Sequence, residues 1–446
     1  MKRFYYIILC LTALVLASCE GGYIAIKSSV AQLTAFTFAK NDSMPGLAAA
    51  KFSVQELLDT GLVTTGRDSI AYGTSLERVV PRFVFAATPS AAFLTLPDTT
   101  CILTGYDTLD FTKRPIYLTV RSQDGVNTKV YEIVPTVHQM DPDLYEWTML
   151  TPSVYPADES EQQVVELGDD FVLLRNNGYS LRVYGSEDGI EWIDLGAPAG
   201  LPVNAMVRQI ISDGTTLYYG EGTTLYTSTD AQTWTAKTVD YPVVTMLLYW
   251  NTRVWALVDN NGYELAYCQN DGLVLSGLRP EGLFPVSDFA AVGFLSSSQR
   301  QRAMIVGGFA EDGQPLNTSW NLEYTPHPLP YGSYRLEEFS ADRPSFQSMT
   351  GASLVWYNNQ LMLFGGIDPD RQYIGSDIMV STDEGITWKV ADTLKNRLPE
   401  SYGVRQRQTA IVRDNNIYLF GGQDKTACYS DVYRGRLNSI DWEKKD

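Results

Sequence analysis

The chain has 446 residues, 44% of them hydrophobic and 19% charged, with 34 basic against 52 acidic side chains and a formal charge of −18. That length and apolar share support large buried cores, which excludes a mainly disordered chain, and the acidic balance removes the driving force for nucleic-acid binding by counterion release. With only two histidines, His138 and His327, a histidine-rich metal site is excluded as well, and no cofactor is implied.

Met1-Lys2-Arg3 precedes an apolar run from Phe4 to Ala17, about 14 residues. A basic start and a run this short read as a secretory signal over residues 1–18 rather than a membrane-spanning helix. Its removal takes away Lys2 and Arg3 and lowers the charge by two, to −20. Leu16-Ala17-Ser18-Cys19 resembles the lipobox of bacterial lipoproteins. The resemblance implies a lipid on Cys19, a tether over residues 19–32 and a place in the cell envelope, on the outer membrane, with membrane contact through that anchor. Cys101, Cys268 and Cys428 are too scattered for a disulfide framework and are expected as small core residues.

Residues 33–138 alternate in short stretches broken by turn formers. Leu33 to Phe38 and Arg82 to Ala86 have the period of half-buried strands. Ile116 to Arg121 and Lys129 to Val134 flank Asp124-Gly125, a pair suited to the positive φ angles of a tight hairpin. An all-β sandwich is expected, and the hairpin resembles the closing one of cadherin-like or immunoglobulin-like modules, a spacer or docking unit. Residues 139–144, with Pro142, read as a linker.

Residues 145–446 are a repeat array. Gly307-Gly308, Gly365-Gly366 and Gly421-Gly422 each end an apolar run, at spacings of 58 and 56 residues. Asn358-Asn359 and Asn415-Asn416 precede the last two runs and have strands before them, giving strand, turn, strand, Gly-Gly: the inner half of a four-stranded blade. Equivalent second strands begin near Phe171, Leu217, Val254, Met304, Leu361 and Ile417, which makes six blades. Trp147 is expected in an outer strand that closes the ring from the N-terminal side, and Trp442 competes for that place, leaving room for a partial seventh blade. A second marker is the Ser-x-Asp turn before a tryptophan, with Asp188 and Trp192, Asp230 and Trp234, and Asp383 and Trp388. The fold class is therefore all-β, a β-sandwich followed by a β-propeller.

The Gly-Gly strands resemble kelch repeats of galactose-oxidase-like propellers, and Ser381 to Trp388 resembles the Asp box of sialidase-like propellers. Lipobox, sandwich and propeller in this order resemble uncharacterised surface lipoproteins of Bacteroides-type bacteria. In such propellers the Asp box is structural, its carboxylate taking backbone hydrogen bonds and its tryptophan packing between sheets. The copper chemistry of galactose oxidase needs two histidine ligands, and the propeller holds only His327. Loops entering the innermost strands share one mouth with those joining second and third strands, and ligands of propellers bind there. That rule selects Arg208, Gln209, Asp288, Gln347, Arg405, Arg407 and Gln408 as candidate binding residues. Gathered arginines suit a carboxylated or sulfated ligand unless each pairs with an acidic neighbour. The sequence thus reads as a non-catalytic surface lipoprotein whose propeller binds a glycan or an envelope or surface protein. The alternative is a glycan-processing enzyme, sialidase-like, glycosidase-like or mutarotase-like.

Overall fold

A computed structural model describes residues 26–57, 60–65, 70–156, 160–270, 272–326, 332–339, 348–368, 372–373 and 377–439. Cys19, His327, Gln347 and Trp442 lie outside them. The chain divides into two compact units, Met1–Pro142 and Asp143–Asp446.

In the first unit a six-stranded sheet runs in the order Ser53–Glu56, Thr60–Thr64, Thr128–Val134, Tyr117–Arg121, Ala91–Leu96 and Thr99–Ile102, and a separate pair joins Leu33–Phe38 to Pro81–Phe85. The expected hairpin forms, with Arg121 opposite Thr128 and Gly125 at φ 78°. The sheet is mixed, because Thr60–Thr64 pairs in parallel with Thr128–Val134. Phe36 and Phe38 of the small sheet share one core with Leu94, Leu118 and Tyr131 of the large one. A short helix, Pro45–Ala49, interrupts the strands. It starts on a proline, whose fixed φ and missing N–H suit a first helical position.

The second unit is a propeller of six blades among the described residues. Blade one is Glu161–Leu167, Asp170–Asn176, Leu181–Ser186 and Ile193–Gly196. Blades four and five are Ala290–Leu295, Gln301–Val306, Ser319–Thr325 and Ser333–Glu338, then Ser353–Tyr357, Gln360–Phe364, Met379–Ser381 and Lys389–Val390. Blades two and three are fused in one sheet through two long runs, Leu217–Ser228 and Thr235–Trp250. The rings of Tyr219 and Tyr226 are 5.8 Å apart. Seven extended residues span roughly 23 Å, so the first run folds back on itself, at Gly222 with φ 53°, and supplies both middle strands of blade two. The second run pairs with blade two through Thr235 to Thr238 and with Arg253–Asp259 through Val243 to Trp250. It is the outer strand of one blade and the inner strand of the next.

Blade six joins Thr409–Arg413, Asn416–Gln423 and Cys428–Leu437 to Tyr145–Thr151, the first strand of the unit, with Trp147 opposite Gly435. The inner strands touch in a closed cycle, each against the next and the last against the first. Closure follows from composition. Second strands such as Phe171 to Leu174, Val254 to Val258 and Leu361 to Phe364 are buried throughout rather than alternately, as strands must be when neighbouring blades cover both faces. Trp147 sits on Gly435, where a Cβ would stand 2.5 Å from its ring, and its Nε1 donates to Asn396 Oδ1 at 3.2 Å.

The Gly-Gly pairs stitch blade to blade. Gly307 and Gly365 have φ of 65° and 58°, and a Cβ there would lie 2.2 Å from the Met349 carbonyl and 2.4 Å from that of Arg405, on the segments entering the following blades. Only glycine meets both demands. In the turn before Ile417 it is Asp414 and Asn415 that take positive φ, while Asn416 already belongs to the strand. Cys101, Cys268 and Cys428 are half-buried rather than core residues.

In all three Ser-x-Asp turns the carboxylate accepts from backbone amides of its own turn. Asp383 Oδ1 accepts from Thr387 N at 2.9 Å and from Ser381 Oγ at 2.8 Å, and Trp388 is buried. Asp188 accepts from the amides of Ile190 and Glu191, and Asp230 from those of Gln232 and Thr233. Trp192 and Trp234 each donate their indole N–H to a backbone carbonyl within the same turn. Each carboxylate is spent on holding its own turn between third and outer strand.

Candidate functional site

The mouth of the propeller opens into a cavity of about 360 Å³ to which the inner strand, or its entering segment, of every blade contributes. Five of the seven candidate residues meet there: Arg208, Gln209, Asp288, Arg407 and Gln408. Arg405 does not. It is fully buried, with Nη1 donating to Asp431 Oδ1 at 2.6 Å and to the Gly421 carbonyl at 3.0 Å, and its guanidinium lies between the rings of Tyr402 and Tyr429 at 3.9 and 4.1 Å. A cation so placed anchors blade six and is not part of the cavity lining. Gln347 lies outside the described residues.

The mouth arginines are paired. Arg407 Nη2 donates to Asp288 Oδ2 at 2.6 Å, Arg208 Nε lies 3.4 Å from Asp288 Oδ1, and Arg208 Nη1 donates to the Arg407 carbonyl at 2.9 Å. Glu161 Oε1 stands 3.9 Å from Arg407 Nη1. Two cations and two carboxylates therefore balance within the cavity wall. Of the two readings the sequence leaves open, the arginines are paired with acidic neighbours rather than free for an anionic ligand. Burial pushes the Arg208 guanidinium below its ordinary pKa while Asp288 holds it up. For Arg407 burial is the largest single effect and works against the charge, but the bond to Asp288 and the charges of Asp288 and Glu161 together outweigh it and the pKa is raised.

The backbone beneath is unusual. Asp288 and Arg407 both adopt positive φ, 50° and 57°, a region an aspartate visits but an arginine rarely does. Gly351 ties them together, its N–H donating to the Asp288 carbonyl at 2.7 Å and its carbonyl accepting from Arg407 N at 2.6 Å. Blades four, five and six are thus belted at the rim, and Arg208 reaches across from blade two to the same cluster. Gly351 has the same conformation, φ 66°, and all three stand two residues before the inner strand of their blade, so the turn is a repeated part of the rim.

Sequence reasoning missed Glu161, Gln163, Met206, Thr245 and Thr409, which also line the cavity. The signal was available: most stand at the starts of inner strands, about ten residues before each second strand. Tyr324 and Tyr334 bound a proline-rich stretch whose sequence suits either a binding surface or an edge seal; they stand opposite one another in the outer half of blade four, and residues 327–331 between them lie outside the described residues. Tyr334 packs against Trp250 and Trp255. Among the described residues no group of three or more His, Cys, Asp or Glu side chains is placed to hold a metal ion, and no helix is long and apolar enough to cross a membrane.

Residues 141–445 match the family described as the DUF6242 beta propeller domain, and residues 26–134 match the N-terminal domain of the same family, a domain of unknown function. The chain belongs to the DUF6242 family. A solved structure titled "Structure of YjhT" is similar to the DUF6242 chain with a TM-score of 0.45 and 12% identity, covering 63% of this chain and 96% of that one. No curated protein matches the sequence.

Proposed function

We propose that this is a non-catalytic lipoprotein, held in the outer membrane through Cys19, whose propeller mouth binds a neutral glycan. The observation that carries the reading is the charge-balanced cluster of Arg208, Arg407, Asp288 and Glu161 at a half-open cavity. Paired charges present many directional donors and acceptors without a net field, which suits hydroxyl groups better than a carboxylate or sulfate. A volume of about 360 Å³ is at the small end for ligand pockets and suits one sugar ring. Glu161 and Asp288 also favour a second reading, a glycosidase, since two carboxylates share the cavity. It is the weaker one, because both Asp288 oxygens face guanidinium groups.

The test is thermal stabilisation of the full chain by a panel of neutral mono- and oligosaccharides, with Arg407→Ala and Arg208→Ala as controls. At least one sugar is expected to raise the melting temperature of the wild type and neither variant's. No shift with any sugar, or equal shifts in both variants, overturns the reading of the mouth. Hydrolysis of an aryl glycoside that is lost in Glu161→Gln would establish the enzyme instead. For the anchor, Cys19→Ser is expected to move the protein from the membrane to the soluble fraction, and retention in the membrane would refute lipidation.

A further inference from the structure

Building on the mouth as a sugar site, we infer that Tyr179, Val203 and Met206 form a second, external subsite that receives the following residues of a neutral oligosaccharide. A cavity sized for one ring forces the rest of a chain out over the rim. The rim is unequal. On the other entering segments the exposed apolar residues are far apart, Leu283 on one and Leu394 and Val404, ten positions apart, on another, and scattered exposed apolar residues are ordinary. Between blades one and two, by contrast, three exposed apolar residues stand on two loops that are joined to each other and reach the cavity at Met206. Met206 lines it and is 56% exposed, Val203 is 54% exposed, and Tyr179 is 90% exposed.

The two loops that carry them are fastened to each other. Asn176, buried at the end of its strand, donates through Nδ2 to the carbonyls of Val203 and Ala205 at 3.0 and 2.9 Å and accepts from Gly178 N at 2.8 Å. Asn177 Oδ1 accepts from the amides of Tyr179 and Ser180 at 3.1 and 2.9 Å. Tyr179 is therefore held out on a fixed turn, and little ordering cost remains when a ligand meets it. Leaving a phenol ring this exposed gains nothing for folding. A pyranose offers a C–H face to such a ring and its hydroxyls to water, and the tyrosine hydroxyl adds a polar handle. Met206 supplies a flexible apolar step between that ring and the polar mouth.

Calorimetric titration of the full chain with neutral gluco- and manno-oligosaccharides of one to six residues tests this. In the wild type, affinity is expected to climb about tenfold between one and three residues. In Tyr179→Ala the climb should shrink to within about twofold while monosaccharide affinity and melting temperature stay unchanged, and Tyr179→Phe should keep most of it. A full climb in Tyr179→Ala, a flat wild type that binds every length equally, or loss of monosaccharide binding in Tyr179→Ala overturns the subsite. A wild type that binds no sugar of any length fails differently: it overturns the reading of the mouth on which the subsite rests.

Discussion

Replacing Asp288 with asparagine removes the negative charge that Arg208 and Arg407 share while keeping the side-chain shape and a residue that tolerates positive φ. Both partners are close, at 3.4 and 2.6 Å, and only 14% of the Arg208 side chain and 32% of that of Arg407 are exposed. Removing one partner of a buried ion pair costs about 3–5 kcal/mol. Arg407 is partly wet and Glu161 stands near it, so the low end, about 3 kcal/mol, is expected. For a unit of this size, Asp143–Asp446, that corresponds to a melting temperature lowered by roughly 5 °C. Asp288→Ala should lose about a further 1 kcal/mol, because alanine at φ 50° carries the left-handed penalty. Adding Arg208→Met to Asp288→Asn should recover part of the loss by removing the stranded cation. The assay is calorimetric and urea-induced unfolding of the full chain for the three variants. An Asp288→Asn protein within about 0.5 kcal/mol of wild type would refute the claim that this carboxylate holds the mouth together.

Three further outcomes follow from the packing of the blades. Trp147→Ala should cost about 2–3 kcal/mol, and Gly435→Val should push the closing strand off blade six, so limited proteolysis should cut near residues 138–145 in both variants; resistance equal to wild type would refute closure by the N-terminal strand. The Ser-x-Asp carboxylates are held below their ordinary pKa, Asp188 by the amides of Ile190 and Glu191, and Asp383 by Thr387 and Ser381 against the opposing effect of burial. Their contribution is therefore complete above the unfolded carboxylate pKa and is lost as pH falls through the folded one; Asp383→Asn should be less stable than wild type at pH 7 with the gap closing as pH falls below the ordinary carboxylate range, and a gap that widens in acid would contradict the assignment. Burial pushes the Cys268 thiol up to about 12, so iodoacetamide at pH 8 should leave it unmodified in the native protein and label it after unfolding; native labelling, read by peptide mass spectrometry, would show that the thiol is open.

The repeat architecture was legible because it is written in local features: Gly-Gly pairs where blades meet, apolar runs too continuous for a one-sided sheet, and Ser-x-Asp turns before tryptophans. Second-strand starts fell within three residues of the observed ones for the same reason. The mouth was legible only in part. Arg405 and Arg407 look equivalent in sequence, and on an extended strand residues two apart share a face. The positive φ of Arg407 breaks that alternation, so one arginine turns into blade six and the other to the cavity. Pairing of Arg407 with Asp288 spans 119 residues and exists only once the ring is closed, which no local pattern encodes. The fold-back of Leu217–Ser228 and the parallel pair in the first unit were likewise set by tertiary pairing rather than by period.

Hydrogen exchange of the full chain, with and without a saturating neutral oligosaccharide, tests the central claim most directly. Protection is expected in peptides covering residues 161–163, 206–211, 245–247, 287–291, 352–354 and 407–410, the segments that meet at the mouth. Protection confined to the first unit or to the outer strands of the blades, or none anywhere, would contradict it.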